Sequence, residues 1–326
     1  MNLNYLYFFG ISFGICYILL IGLQKLLSKF GFNAHKNDVP CFGGIGLFFS
    51  FIVSFLIFCF LYKISLPFQL VWLCIFSFIL LGIEYVDDLK NLSLRARIIT
   101  QIIFIILFLL CGKKINIYFL PIWANYLLSF FWIAGITNAF NLLDISDGLC
   151  AGVSLIVCLS FLLVFVIGGD ILLTVLFLTL SGAIVAFLAF NLPPAKIYLG
   201  NSGSHFIGFL FAALVMYGDY AGVANRYVLI FPLLILAFPI IDTFLLIIMR
   251  FKKGIVPLKK SDDHVFLRLL ALQCTNWQAL LAVYLVTFLW AGAGILVFLQ
   301  LNLFAIIVLA FAVFSTLQLI FTVRRQ

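Results

Sequence analysis

The chain has 326 residues, of which 66% are hydrophobic and only 9% charged, with a mean hydropathy of +1.29. So little polar side chain cannot cover a soluble globular surface. The net charge of +8 does not point to nucleic acid either, because the 19 Lys and Arg are scattered between apolar runs, where membrane proteins carry their cations.

In chain order, apolar runs of helical length are expected to cross a bilayer near 4–24, 43–62, 69–86, 98–112, 122–140, 149–168, 171–190, 204–217, 227–248, 277–297 and 302–322. Backbone groups in hydrocarbon must be paired within helices or closed barrels, and long unbroken runs exclude the alternating strands of a barrel. The expected fold class is therefore all-α: a polytopic integral membrane protein of about 11 transmembrane helices, forming one domain over 1–326, with an active-site cleft at the cytoplasmic face. The first run has no basic stretch before it and reads as a first span rather than a cleaved leader. The eight Cys show no CxxC spacing and read as small buried hydrophobes.

Fifteen of the 19 cations fall in one alternate set of connections, leaving only Lys63, Lys113, Lys114 and Arg226 in the other. The rule that cations stay inside makes the first set cytoplasmic, with the amino terminus periplasmic and the carboxyl terminus cytoplasmic. Of the 11 acids, all but Asp170 and Asp219 lie on that cytoplasmic side. Ionisable groups near a bilayer are costly without a cavity or partner, so one shared site would explain the clustering.

Four segments could carry chemistry. Asp87-Asp88 end the third run, and paired carboxylates can bind a cation, hold a proton or orient a nucleophile, or merely end a helix in solvent. Asn138, Asn141, Asp144 and Asp147 recur every third residue and would line one helical face, as a metal or nucleotide site or a polar helix end. The stretch Pro193 to His205 contains a Gly/Ser turn opening a helix, whose N–H groups suit a phosphate or an ordinary cap. The connection from Arg250 to Asn276 is basic and could cover a diphosphate or lie on anionic headgroups. A transporter ranks last among the readings, because no Gly- or Pro-broken helix pair is expected at the midplane with acids beside it.

Together and in this order, the segments resemble the polyprenyl-phosphate N-acetylhexosamine-1-phosphate transferases, including the phospho-MurNAc-pentapeptide translocases. The matching residues are Pro40 to Ile45, Asp87-Asp88-Leu89, Asn138 to Leu149, Asn191 to Ser204, Pro239 to Thr243, and Arg250 to Arg268. The run from Asn138 and the Pro-Pro-Ala-Lys-Ile stretch are nearer the GlcNAc-1-phosphate branch.

The resemblance implies transfer of a sugar 1-phosphate from a UDP-N-acetylhexosamine to polyprenyl phosphate in the inner membrane, with Mg²⁺ (or Mn²⁺) as cofactor and no nucleic acid involved. A homodimer is compatible with it. It implies catalytic roles for Asp87, Asp88, Asp144 and Asp147, and substrate binding by Asn138, Asn141, Lys196, Ser204, His264 and Arg268. The implied metal ligands are Asp144, Asp147 and Asn201. Asn201 stands where the family's LGDxGS-type turn has Asp, which implies weaker metal binding. Phe266 and Leu267 replace two His of an HxHHR-type pattern, Ile145 replaces the first Gly of a DGxDG-type run, and Cys41 stands where a basic residue often follows the first Pro. A non-catalytic member binding polyprenyl phosphate or a partner glycosyltransferase is the rival reading.

Overall fold

The computed structural model describes residues 3–29, 39–117, 119–218, 230–254 and 264–322. After a 3₁₀ turn at Leu3–Tyr5, the helices are α1 (Leu6–Lys29), α2 (Gly43–Leu61), α3 (Phe68–Lys90), α4 (Leu94–Cys111), α5 (Ile122–Leu143), α6 (Leu149–Gly168) and α7 (Ile171–Asn191). Then follow α8 (Gly200–Tyr217), α9 (Phe231–Ile235), α10 (Ala237–Lys252), α11 (Val265–Ala271), α12 (Asn276–Phe298) and α13 (Asn302–Thr322). The strand-type pairing among the described residues amounts to one isolated parallel bridge, between Cys41 and Tyr198.

Among the described residues, nine helices are long and apolar enough to cross a membrane: α1 to α7, α12 and α13. The protein is all-helical and membrane-spanning, as its apolar runs require. Two of the eleven expected spans differ from that simple form. The run at 204–217 lies in α8, an 18-residue helix whose first two turns carry Asn201, Ser202, Ser204 and His205, which dilutes its apolar character. The run expected at 227–248 is broken at Leu236 into α9 and α10, with residues 227–229 outside the described residues.

Proline explains the break. Pro239 has no N–H to give the carbonyl of Ile235, so the helix cannot continue through it. As the third residue of α10, it falls in a first turn where the missing N–H would have had no helical partner. This is one broken helix, with Asp242 six residues beyond the break, and not the pair of broken helices that a transporter reading would call for.

α7 is the most deeply enclosed span and packs against α1, α2 and α6, while α8 packs against α3, α5 and α2. Phenylalanines fill the seams: Phe206 meets Phe48 and Phe51, and Phe209 meets Phe104 and Phe108, edge to face. Large apolar side chains such as Phe60, Leu110 and Phe251 face outward, as a lipid-exposed surface allows.

The ends of α3, α5 and α7 and the starts of α2, α4, α6 and α8 meet at one end of the bundle, which holds the acidic motifs. There Gly43 and Gly44 N–H donate to the Tyr198 and Leu199 carbonyls at 3.0 and 3.2 Å, and Tyr198 N–H donates to Pro40 at 2.9 Å. A side chain added at Gly44 would come within 2.6 Å of the Gly203 Cα, so α2 and α8 touch backbone to backbone. At the opposite end, a cavity of about 670 Å³ is bordered by Lys113, Lys114, Asn125, Asp170 and Tyr217 among others.

Candidate active site

Asp87 and Asp88 lie in the last turn of α3, which stops at Lys90 because Asn91 adopts the left-handed conformation (φ 49°) and Ser93 caps α4, accepting the Ala96 N–H. This turn brings Arg97 back over α3. Its Nε donates to Asp87 Oδ1 at 2.9 Å, and Leu92 N–H donates to the same oxygen at 2.8 Å. Asp87 is 1% exposed, so removing these donors would leave a buried charge uncompensated.

Asp88 reaches across to α8. Its two carboxylate oxygens accept the backbone N–H groups of Asn201 at 2.9 Å and Ser202 at 3.1 Å. These are first-turn donors without helical partners, and a carboxylate there also meets the positive end of the helix dipole. The N–H groups expected to be open to a phosphate are thus occupied by Asp88.

Asn201 joins this arrangement to α5. Its Nδ2 donates to Asp87 Oδ2 at 3.0 Å, and its Oδ1 accepts from Asn141 Nδ2 at 3.0 Å. Asn141 Nδ2 also donates to Ser204 Oγ at 3.1 Å. Asp87, Asp88, Asn141, Asn201 and Ser204 are therefore one hydrogen-bonded set drawn from α3, α5 and α8.

The expected four-residue helical face does not form as such. Asn138 and Asn141 lie on α5, but α5 stops at Leu143, Asp144 is its C-cap, and Asp147 sits in the turn beyond. Gly148, at φ 74°, turns the chain directly into α6. Asn138 Nδ2 donates to Gln101 Oε1 at 3.0 Å and to the Ala134 carbonyl at 2.7 Å. Asp147 Oδ2 accepts the Ala195 N–H at 2.9 Å, tying this turn to the loop before α8. Asn191 braces the same place: its Oδ1 accepts from Gly148 N–H and its Nδ2 donates to the Ile197 carbonyl, both at 3.0 Å. Lys196 is exposed on that loop. Tyr198 sits there too, and burial, then the nearby Asp147 and Cys41, push its phenol pKa upward.

His264 and Arg268 belong to a further group. Asp242 Oδ2 lies 2.8 Å from His264 Nδ1, and its Oδ1 accepts the Val265 N–H at 3.1 Å, so one buried carboxylate holds the start of α11. Arg268 Nη2 lies 2.6 Å from Met249 Sδ. Phe266 is buried in the core and Leu267 packs against it, so the two residues replacing histidines serve to seat α11. Lys259, Lys260, Asp262 and Asp263 of the basic connection lie outside the described residues, as do Lys36, Asp38, Asp219, Arg226, Arg324 and Arg325.

Sequence reasoning missed the pair formed by Glu84 and His205. Glu84 Oε2 lies 3.2 Å from His205 Nδ1, which also lies 3.1 Å from the Asn201 carbonyl oxygen; a carbonyl only accepts, so Nδ1 carries the proton. Both are placed one helical turn from recognised positions, Glu84 four before Asp88 and His205 four after Asn201, and that spacing was the available signal.

The acids do not gather as a ready metal centre. Among the described residues, no three His, Cys, Asp or Glu side chains form a group that could hold a metal ion. Of the implied ligands, Asn201 has its carbonyl oxygen turned to Asn141, and Asp147 is engaged with Ala195.

Residues 68–219 match the model of the family described as Glycosyl transferase family 4. Over 289 residues the chain is 30% identical to a probable undecaprenyl-phosphate N-acetylglucosaminyl 1-phosphate transferase of Bacillus subtilis, covering 85% of this chain and 79% of the relative. It is 27% identical over 298 residues to a decaprenyl-phosphate N-acetylglucosaminephosphotransferase of Mycolicibacterium smegmatis, covering 80% and 71%. A phospho-N-acetylmuramoyl-pentapeptide-transferase of Bacillus mycoides is 27% identical over 239 residues, covering 63% and 74%. With its bundle, its paired aspartates at the end of α3 and a relative this similar along most of both chains, the protein belongs to glycosyl transferase family 4.

Proposed function

We propose that this protein transfers N-acetylhexosamine 1-phosphate from a UDP-sugar to polyprenyl phosphate, undecaprenyl phosphate in particular, and so initiates a cell-envelope glycan. An oxygen of the lipid phosphate forms a bond to the sugar-bearing phosphorus of the donor. The bond from that phosphorus to the bridging oxygen breaks, and UMP leaves with the electron pair. The lipid tail needs an apolar groove and the nucleotide needs water, so the reaction belongs at the membrane surface, at the acidic end of the bundle. We place the protein in the inner membrane, with this end and the carboxyl terminus cytoplasmic and the amino terminus periplasmic.

Asp87 and Asp88 position the lipid phosphate or accept its proton. Asp144, Asp147, Asn138, Asn141, Lys196 and Ser204 line the way to the sugar nucleotide. His264 and Arg268 meet its diphosphate from α11. A divalent cation such as Mg²⁺ or Mn²⁺ supplies charge compensation in such a transfer. The residues the resemblance implies for it, Asp144, Asp147 and Asn201, do not form a ready coordination set, and no protein ligand is assigned.

One observation carries the reading: Asp88, at the end of α3, holds the start of α8, 113 residues later, so that motifs far apart in the sequence meet at one place. The deciding test incubates the purified protein with undecaprenyl phosphate, Mg²⁺ and a panel of radiolabelled UDP-sugars. A lipid-linked product from a UDP-N-acetylhexosamine is expected. No product from any donor would leave the rival reading, a non-catalytic member that binds polyprenyl phosphate. The engagement of the Asp87 and Asp88 oxygens by protein donors is the observation that favours this second reading.

A further inference from the structure

Two adjacent carboxylates at a membrane helix end require compensation. A site prepared for a resident divalent cation would aim their oxygens at a shared centre, because hard cations are held by oxygen ligands. Here the oxygens face nitrogen donors instead. Asp87 Oδ1 accepts from Arg97 Nε and Leu92 N–H, and Asp87 Oδ2 from Asn201 Nδ2. Asp88 Oδ1 and Oδ2 accept from the Asn201 and Ser202 N–H groups.

The Asn201 amide cannot simply turn its oxygen inward. Ser204 Oγ donates to the Gly200 carbonyl at 2.9 Å, so it must accept from Asn141, which fixes Asn141 Nδ2 toward Asn201 Oδ1. Reversing Asn201 would set its oxygen against Asp87 Oδ2 and its NH₂ against the NH₂ of Asn141, breaking two hydrogen bonds and creating two repulsive contacts.

We propose that Asn201 stands in for a cation: with Arg97 and the first N–H groups of α8 it closes the Asp87–Asp88 pair, and the resting protein holds no divalent cation there. The corollary concerns residue type. A carboxylate at position 201 would present an oxygen to Asp87 Oδ2 where Nδ2 now lies at 3.0 Å, and that repulsion would be relieved by a metal ion. This inference does not rest on transferase activity, because the metal is measured directly.

The test titrates Mn²⁺ into the detergent-solubilised full chain in phosphate-free buffer, following the electron paramagnetic resonance signal of free Mn²⁺. Wild type is expected to show no saturable site. Asn201→Asp should gain one, at least about tenfold tighter than any wild-type binding, a difference of about 1.4 kcal/mol. Adding Asp87→Asn to Asn201→Asp should remove it. A wild-type site within about threefold of the Asn201→Asp affinity would overturn the proposal, as would a folded Asn201→Asp protein that gains none. If Asn201→Asp does not fold, the wild type decides alone. One bound Mn²⁺ that is lost in Asp87→Asn defeats the proposal, and the absence of a bound Mn²⁺ upholds it. Sugar-phosphate transfer is assayed separately, so failure of the functional reading and failure of this one are told apart.

Discussion

Replacing Asp88 by Asn tests whether this carboxylate is what holds the first turn of α8. In the structure each Asp88 oxygen accepts one backbone N–H, from Asn201 at 2.9 Å and Ser202 at 3.1 Å. Asn retains one acceptor, but its NH₂ faces the second N–H. One hydrogen bond to a charged group is lost, about 1.5–3 kcal/mol, and the other loses its charge assistance. A negative charge at a helix start contributes a further 0.3–1 kcal/mol or so. The sum is about 2–4 kcal/mol, all of it local to the start of α8. Amide hydrogen exchange followed by mass spectrometry reads that directly. Exchange at Asn201 and Ser202 should accelerate by roughly thirty- to several-hundred-fold, at about 1.4 kcal/mol per factor of ten, while the middle of α7 stays protected. Unchanged exchange at these two amides in Asp88→Asn would refute the assignment and return Asp88 to an open carboxylate.

Gly44→Ala should abolish the folded protein or cost more than the roughly 1–3 kcal/mol of ordinary overpacking, because the added carbon meets the Gly203 backbone and not a yielding side chain; monodisperse yield after detergent extraction checks this. Asp147→Ala frees the Ala195 N–H and should raise exchange across 195–199, with about 1.5–3 kcal/mol lost locally. Asp242→Ala removes both holds on the start of α11 and should make 264–271 sensitive to limited proteolysis, with α2 and α7 unaffected. Reporter fusions after Lys114 and after Lys260, the latter outside the described residues, should report periplasm and cytoplasm respectively; the opposite result would place the acidic end outside and defeat a cytosolic donor.

The helical class and most of the spans were legible because a bilayer demands long apolar runs, and runs such as 149–168 and 171–190 return almost unchanged as α6 and α7. The break at Leu236 was hidden because mean hydropathy does not register a missing N–H, although Pro232 and Pro239 were in plain view. At the site, periodicity identified Asn141 and Asp144 but overextended the helix, since Gly148 and the Asp144 cap depend on backbone angles that a three-residue spacing does not encode. The occupation of the α8 donors by Asp88 could not be read at all. It depends on two segments 113 residues apart arriving with complementary groups, and each segment alone resembled an ordinary polar turn. Glu84 and His205 were readable from helical spacing beside recognised residues.

The contact between Gly44 and Gly203 has a consequence for how this sequence can drift. Most packing contacts can be rewritten in two steps, one side chain growing while its neighbour shrinks. Here neither partner has anything left to give up, since both sides of the contact are already backbone. No second substitution at position 203 can make room for a larger residue at 44, whereas a larger residue at 203 meets the Leu199 side chain before it meets Gly44, so position 44 cannot be released by covariation with its partner. Variation in this protein is thereby directed away from the α2–α8 crossing and toward the surrounding loops. Descendants with different substrate preferences would share this crossing unaltered.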